Sequence, residues 1–364
     1  MKAAFFSSVF YLAPASPGWP TPASPYSADA AKRSMQTALA QFRLADEVGF
    51  DWVTVAEHHF GPFGLTPNPM VFAGALTQVV KRAKIALLGP TLPILNPVRV
   101  AEEYAMLDTM TDGRVIAGLM RGTPNEYVTY HISPMESRGR FEEGLQLIRR
   151  AWTEEQPFGW QGRYFHYRSI SIWPRPVQQP HPPIYMSGSS RESAEFAARN
   201  RISLGLAVTT LPLAAKAAQH YRDTARGADW NPAADDVLFR VSFHVADSDD
   251  QALADYAESL KHPQRGSPVT ANPTIEAAVA QLGYYGADIR QRERVVEQHS
   301  LKDRIALGRI IIGSPDTVVA QIAAIAGALW PGVLDAVSAF QLGERTERSI
   351  VLFGEKVLPR IREL

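Results

Sequence analysis

Short apolar segments alternate with longer amphipathic segments along most of the chain. The apolar segments are rich in β-branched residues and end at Gly, Pro or polar residues, which is typical of strands buried on both faces of a parallel sheet. Their positions predict eight strands, at residues 3–9, 52–56, 85–89, 114–119, 184–187, 203–208, 237–245 and 334–339.

The segments between these strands carry apolar residues at helical spacing. They predict helices at residues 31–48, 68–80, 97–110, 138–152, 191–199, 212–226 and 344–357, with Ser137 as the amino-terminal cap of the fourth. Regular alternation of strand and helix predicts an α/β fold, a (β/α)8 TIM barrel with insertions, over residues 1–364 as a single domain. The long stretch 262–307 interrupts the rhythm, and we expect it to form a lid at the catalytic rim.

The composition excludes several classes of function. Lys plus Arg (37) balance Asp plus Glu (37), which gives no basic surface for nucleic acid or an anionic membrane. The absence of cysteine excludes disulfides, thiolate metal sites and cysteine nucleophiles. The amino-terminal apolar run is short and is interrupted by Ser7 and Ser8, so it predicts a first strand in a cytoplasmic protein rather than a signal peptide.

The second predicted strand ends at Glu57, His58 and His59, where Gly61 and Pro62 prevent its continuation. The carboxyl ends of parallel strands carry the ligand sites of such folds. Adjacent strand side chains face opposite ways, and no HExxH spacing occurs, so we predict no metal site here. His58 is the candidate general acid or base because imidazole titrates near neutrality. For His59 we expect a structural role, with its ring bonded to a backbone carbonyl.

Two further strand ends carry groups that suit a phosphate. Arg121 follows the fourth strand directly and can fork onto a phosphate, although a salt bridge to a neighbouring acid explains it equally well. Ser189, Ser190 and Ser193 open the helix after the fifth strand, where serine hydroxyls and free backbone N–H groups form an anion cradle; an ordinary helix cap is the alternative. A Walker loop and a GxGxxG turn after a strand are both absent, which argues against bound nucleoside triphosphate or a Rossmann-type nicotinamide site.

Several of these stretches together resemble the bacterial luciferase-like flavin-dependent monooxygenases. "EHHFGPFGLTPN", "NPVRVAEE", "LDTMTDGR" and "RGTPNEY" are similar to the luciferase α subunit, and "PRPVQQPHPPIYMSGSS" is similar to a pattern of the wider family. The resemblance runs from about residue 50 to residue 193 and resumes near Gly313. Met120 stands where luciferase has a cysteine, so light emission and a long-chain aldehyde substrate are not carried over.

The resemblance implies a barrel that binds FMN at its carboxyl-terminal mouth. His58 matches the catalytic histidine, Arg121 the phosphate-binding arginine with Thr123 offering a backbone N–H, and Ser189, Ser190 and Ser193 the phosphate cradle. Leu88 and Gly89 match the family's non-prolyl cis peptide beneath the flavin, a bond that costs roughly 3–4 kcal/mol.

The expected activity is that of a two-component monooxygenase. Reduced FMN would come from a separate NAD(P)H-dependent flavin reductase, and dioxygen would add at its C(4a) position to give a hydroperoxide that oxygenates a small organic substrate. Two alternatives stay open: a deazaflavin-dependent oxidoreductase on the same barrel, and a non-catalytic flavin-binding protein. The resemblance also implies a homodimer or higher homo-oligomer. Aromatic residues on the predicted rim favour an apolar or aromatic substrate, with packing in the core as the alternative: Phe10, Tyr11, Trp19, Phe60, Phe63, Tyr127 and Tyr130.

Overall fold

Parallel strands form the centre of the molecule. The structure is a computed structural model that describes residues 1–15, 19–24, 26–261, 299–338 and 340–364. The strands in chain order are β1 (Lys2–Phe6), β2 (Trp52–Val55), β3 (Lys84–Leu87), β4 (Val115–Gly118), β5 (Phe158–Gln161), β6 (His166–Ile170), β7 (Ile184–Ser187), β8 (Ser203–Leu206), β9 (Val237–Val245), β10 (Ile310–Gly313) and β11 (Val333–Ser338).

Eight of these strands close into a barrel in the order β1-β2-β3-β4-β7-β8-β9-β11, and β11 returns to β1. All neighbours in this ring are parallel. The predicted (β/α)8 barrel and the positions of its eight strands are therefore confirmed. Several strands end sooner than the pattern predicted, because buried apolar residues such as Leu88 and Leu119 continue past the last paired residue.

Two pieces of sheet were not predicted. Strand β10 pairs with the second half of β9, Ser242–Val245, which extends beyond the residues that β8 pairs. Strands β5 and β6 form an antiparallel hairpin beside the barrel. The carboxylate of Glu143 accepts hydrogen bonds from the backbone N–H groups of Arg163, Tyr164 and Phe165 and from the indole of Trp160, which fixes the hairpin turn.

Helices surround the barrel. The seven predicted segments agree closely with observed helices, and the other helices among the described residues were not predicted. The helices in chain order are α1 (Ala28–Glu47), α2 (Pro69–Val79), α3 (Pro97–Thr111), α4 (Pro124–Thr129), α5 (Ser137–Thr153), α6 (Arg191–Arg199), α7 (Leu211–Gly227), α8 (Asp249–Ser259), α9 (Leu301–Ala306), α10 (Pro315–Leu329), α11 (Glu344–Leu352) and α12 (Leu358–Ile361), with a π-helical turn at Phe353–Val357 between the last two. None of the described helices is long and apolar enough to cross a membrane.

Most of the predicted lid, residues 262–298, lies outside the described residues. Its last part, from residue 299, contains α9, whose first turn is closed by reciprocal bonds between Ser300 and Asp303. The prediction that Ser137 caps α5 is wrong. Ser137 is the first residue of that helix, Glu136 occupies the cap position, and the Ser137 side chain is buried.

The strand side chains separate two cores. The outward faces of the strands pack against the helices in one large apolar core. A smaller, separate cluster includes Ala4, Trp52, Ile116 and Tyr185. Barrels of this type carry their chemistry at the carboxyl ends of the strands, so we expect the site at that mouth.

Candidate active site

Every candidate residue follows the carboxyl end of a barrel strand. His58 follows β2, Gly89 follows β3, Arg121 follows β4, and Ser190 follows β7. Because these strands are parallel neighbours in one closed barrel, their carboxyl ends surround a single mouth. The predicted residues are thus on the same rim of the molecule.

His58 is held in a tight loop at this mouth. Its backbone N–H donates to the carbonyl of Thr66 (3.3 Å), and its ring meets the ring of Phe63 edge to face, with centroids 5.1 Å apart. A Cβ atom at Gly64 would come within 3.0 Å of the His58 side chain, so only glycine allows this approach without displacement. The loop therefore fixes the position of the imidazole.

The electrostatic surroundings of His58 favour its neutral form. Burial, followed by the positive charge of Arg240 and the neighbouring His59, lowers the pKa of His58 from 6.5 to about 4. Burial disfavours the charged imidazolium because the ion loses hydration. A neutral imidazole can accept a proton at physiological pH, which is the state that a general base requires.

His59 belongs to a buried hydrogen-bonded chain of side chains. Its Nε2 lies 3.2 Å from Oε1 of Glu57, and its Nδ1 lies 3.3 Å from the hydroxyl of Tyr130. Both Glu57 and His59 are buried, whereas Tyr130 is 44% exposed at the rim. The predicted partner, a backbone carbonyl, is wrong: both ring nitrogens face side chains. The arrangement holds His59 in place. The His58 ring contacts Phe63, and its nitrogens form no hydrogen bond within the part of the chain that the structure describes.

Thr123 is engaged within its own loop. Its backbone N–H donates to the carboxylate of Glu126 (2.7 Å), and its hydroxyl donates to the same oxygen. Burial raises the pKa of Glu126, and the hydrogen bonds from Thr123 oppose that rise. Glu126 therefore occupies the N–H group of Thr123 that the resemblance assigned to a phosphate.

The Leu88–Gly89 segment packs directly against the strand end that carries the histidines. The backbone N–H of Leu88 donates to the carbonyl of Val55 (2.9 Å), and a Cβ atom at Gly89 would lie 2.3 Å from the backbone nitrogen of Glu57. Among the described residues, cis peptide bonds occur only before prolines, so the Leu88–Gly89 bond is trans. The cis bond implied by the resemblance is thus not found in this structure.

Arg121 is connected to the serine-rich helix start through α5. Its Nη2 lies 3.5 Å from the buried hydroxyl of Ser137. The next residue, Arg138, pairs with Glu192 (2.7 Å) in the first turn of α6. The beginnings of α5 and α6 are therefore joined by an ion pair, and Arg121 contacts the first residue of α5.

The serines form a capped helix start with hydroxyls facing one another. Ser190 is the cap of α6; its hydroxyl accepts from the N–H of Ser193 (3.2 Å) and donates to the Ser193 hydroxyl (3.0 Å). Ser189 is exposed. A Cβ atom at Gly188 would lie 2.4 Å from Cβ of Ser193, so the loop depends on glycine there. The helix-cap interpretation is confirmed, and a cap of this type still presents the positive end of the helix to an anion.

One polar cluster inside the barrel was not predicted. Nε of Arg240 on β9 donates to Oδ2 of Asp335 on β11 (2.6 Å), and Oδ1 of Asp335 accepts from the hydroxyl of Thr54 on β2 (2.6 Å). The Arg240 guanidinium lies over the ring of Phe6, 3.9 Å from its centroid. A charged residue within each of the apolar runs "VLFRVSFHV" and "VLDAVS" was the available signal, since unpaired charge is excluded from buried strands.

The site has no grouping of side chains suited to a metal. Within the described ranges, which omit 262–298, no three His, Asp or Glu side chains gather closely enough to hold an ion. The absence of a metal site stays a prediction. The side chains that the structure places at the mouth offer imidazole, guanidinium, carboxylate and hydroxyl groups.

Comparison with known proteins identifies the family of the chain and its fold. The family model described as luciferase-like monooxygenase matches residues 10–330. The chain belongs to the luciferase-like monooxygenase family. This family match confirms the resemblance that the motifs indicated.

Individual relatives cover different portions of the chain. The alkanal monooxygenase alpha chain of Photorhabdus luminescens is 32% identical over 163 residues, which are 44% of this chain and 45% of that protein. The alignment thus spans about half the length of that curated relative. An F420-dependent glucose-6-phosphate dehydrogenase of Amycolatopsis mediterranei is 27% identical over 334 residues, 88% of this chain and 92% of that one.

The fold extends over the whole length of a solved relative. The crystal structure of monooxygenase RslO1 from Streptomyces bottropensis superposes with a TM-score of 0.77 and 26% sequence identity, covering 99% of this chain and 100% of that one. The comparisons therefore establish the family and the barrel fold. They do not identify the cofactor or the substrate of this chain.

Proposed function

We propose that this protein is a flavin-dependent monooxygenase that uses reduced FMN and dioxygen to oxygenate a small organic substrate. One oxygen atom would enter the substrate, the other would leave as water, and the two electrons would come from the reduced flavin. The observation that carries the proposal is a neutral, loop-fixed His58 on the same rim as Arg121 and the serine-capped start of α6.

The residues at the start of α6 suit the phosphate of FMN. A guanidinium, three serine hydroxyls and the positive end of a helix would supply charge-assisted bonds of roughly 1.5–3 kcal/mol each to an anion. Arg121, Ser189, Ser190 and Ser193 would hold the phosphate, with Arg138 close by. Thr123 is left out because Glu126 occupies its N–H group. Leu88 and Gly89 would lie beneath the flavin ring.

Bound reduced flavin would supply the activation of dioxygen at its C(4a) position. His58 would hold or accept the proton that decides between oxygen transfer and loss of peroxide, a role worth about 10² to 10⁴ in rate for a positioned base. The loop around His58 and the ring of Phe63 next to it would help to keep water from the reacting atoms. A separate NAD(P)H-dependent reductase would supply the reduced flavin.

The test of the proposal is stopped-flow absorbance of the protein mixed with reduced FMN and dioxygen, followed by a substrate panel. We expect a long-lived oxygenated flavin spectrum whose lifetime a true substrate shortens. His58→Ala should remove the oxygenated product while FMN still binds. Unchanged product formation in this variant would exclude His58 from the mechanism.

The F420-dependent relative supports a second candidate, a deazaflavin-dependent hydride transfer on the same barrel. A deazaflavin does not activate dioxygen, so oxygen consumption separates the two functions. Binding of reduced FMN without oxygen consumption, together with tighter binding of reduced deazaflavin, would favour the second candidate.

A further inference from the structure

Arg240 presents a positive charge to the interior of the barrel. Its side chain is 19% exposed, and that of Asp335, its partner, is completely buried. Only Nε of Arg240 takes part in the bond to Asp335, and no acceptor among the described residues pairs with Nη1 or Nη2. These two nitrogens carry four N–H donors in a planar fork that suits oxygen atoms.

The position of the guanidinium is fixed from two sides. Asp335 holds Nε, and the ring of Phe6 supports the planar face at 3.9 Å. Thr54 holds the other oxygen of Asp335. A guanidinium restrained in this way loses little further freedom when it binds a ligand, so its donors are pre-organised.

Arg240 lies on the side of the barrel opposite the proposed phosphate site. Arg121 and Ser190 follow β4 and β7, whereas the Arg240 side chain reaches over Asp335 on β11 and Phe6 on β1. In a closed ring of eight strands, β11 and β1 lie across the mouth from β4 and β7. If FMN binds with its phosphate at Arg121 and Ser190, the side of the mouth that carries Arg240 would be open to the substrate.

The same side of the mouth carries His58 and aromatic rings. Arg240 is near enough to His58 to act on it electrostatically. The ring of Phe63 meets His58 at 5.1 Å, and the ring of Phe10 meets Phe63 at 5.3 Å, both edge to face. An apolar ring fits against such a wall, and a polar atom on that ring would face the guanidinium.

We propose that Arg240 binds an oxygen atom of the substrate and thereby selects aromatic compounds that carry a carboxylate, phenolate or carbonyl group. To call this ligand a substrate rests on the proposed monooxygenase function. The prediction that Arg240 binds it does not depend on that function. The guanidinium would orient the ring against Phe63 with its reacting carbon toward the flavin. Arg240 is thus a specificity-determining residue, distinct from the phosphate-binding arginine.

The experiment measures binding, so it does not depend on turnover. Benzoate, benzaldehyde and toluene share one ring and offer an anion, a carbonyl and no oxygen, respectively. Calorimetric titration of the FMN-loaded full chain with each probe should show benzoate bound about tenfold to a hundredfold more tightly than toluene, the effect of one charge-assisted hydrogen bond. Equal affinities for all three probes in the wild-type protein would overturn the proposal.

Three variants test whether Arg240 causes the preference for benzoate over toluene. The double variant Arg240→Met, Asp335→Asn removes the cation without leaving a buried unpaired charge, and the preference should disappear. Asp335→Asn alone leaves the cation without its counter-charge and should tighten benzoate further. Arg240→Lys keeps the charge and loses the planar fork, so we expect a preference for benzoate between those of the wild-type protein and the double variant. This variant replaces the double variant in the test if the double variant does not fold.

Each outcome with a folded double variant has one meaning. Loss of affinity for benzoate alone identifies an anionic group as the ligand, and equal loss for benzoate and benzaldehyde identifies a carbonyl. An unchanged preference overturns the proposal. If the cofactor proves to be a deazaflavin, the stopped-flow test of oxygen chemistry fails while the probe preference persists, so the two proposals fail separately.

Discussion

The lowered pKa of His58 predicts an acid-dependent loss of stability that one substitution removes. In the folded protein this pKa is about 4, against 6.5 for a freely hydrated histidine. As the pH falls below 6.5, the unfolded chain takes up a proton that folded His58 does not. Protonation therefore stabilises the unfolded state. The free energy of unfolding decreases until the pH reaches the pKa of His58 in the folded protein.

The magnitude follows from these two values. At about pH 5 the unfolded imidazole is mostly protonated and the folded one is mostly neutral, which makes unfolding easier by about 2 kcal/mol than at about pH 7.5. The His58 residue is partly exposed to solvent, and hydration of its ring reduces this free-energy difference. We expect a contribution of about 1–2 kcal/mol between these pH values.

The assay compares urea unfolding of the wild-type protein and His58→Asn at both pH values. The wild-type protein should lose about 1–2 kcal/mol more than the variant on acidification, because every other titrating group is common to both. His166→Asn is the matched control, since it removes an exposed histidine from the hairpin. That control should lose as much stability as the wild-type protein.

Two results would refute this reasoning. One is an equal acid-dependent loss in the wild-type protein and His58→Asn. The other is a nuclear magnetic resonance titration in which the His58 ring changes protonation near its ordinary pKa. Either result would mean that water reaches the imidazole, and the proposed exclusion of water around the flavin would then lack its main support.

Three other substitutions test the site. Gly89→Ala should lower the free energy of unfolding by about 1–3 kcal/mol, because its Cβ atom would lie 2.3 Å from the Glu57 nitrogen; wild-type stability in urea would disprove that packing. Glu57→Gln, at a buried bond to His59, should cost about 1–3 kcal/mol in the same assay, and a neutral effect would contradict the assigned bond. Glu192→Gln frees Arg138 and removes an acid from the start of α6, so fluorescence titration should show FMN binding about two- to fivefold tighter; weaker binding would count against the phosphate site.

The barrel was predictable because its signals are local. A buried parallel strand is mostly apolar on both faces, and the predicted bounds of Val237–Val245 and Ile184–Ser187 match the observed strands at both ends. Arg240 is a charged exception within the first of these segments. Strand β10 was missed because it lies outside the closed ring of eight strands. It pairs with the second half of β9, beyond the residues that pair with β8. The hairpin depends on Glu143, a residue whose role is invisible until the turn is folded around it.

The location of the candidate site was predictable from the sequence, whereas the hydrogen-bond partners of its residues were not. A strand end followed by Gly and Pro marks the rim, which is why His58 and Arg121 were found. The bond from Tyr130 to His59 was not found, because Tyr130 is 71 residues along the chain and reaches the ring only through the segment after β4. Likewise, Glu126 competes for the N–H of Thr123 through a turn geometry that residue types alone do not specify.

The ion pair inside the barrel also bears on resistance to heat. Barrels of this type are commonly filled with layers of branched aliphatic side chains, and a well-packed apolar replacement for a buried ion pair often raises the melting temperature. Replacing Arg240 and Asp335 with aliphatic residues is thus an obvious route for directed evolution toward thermostability. Selection on heat alone would remove the charge that we assign to substrate choice, so such a campaign needs a concurrent screen for catalysis.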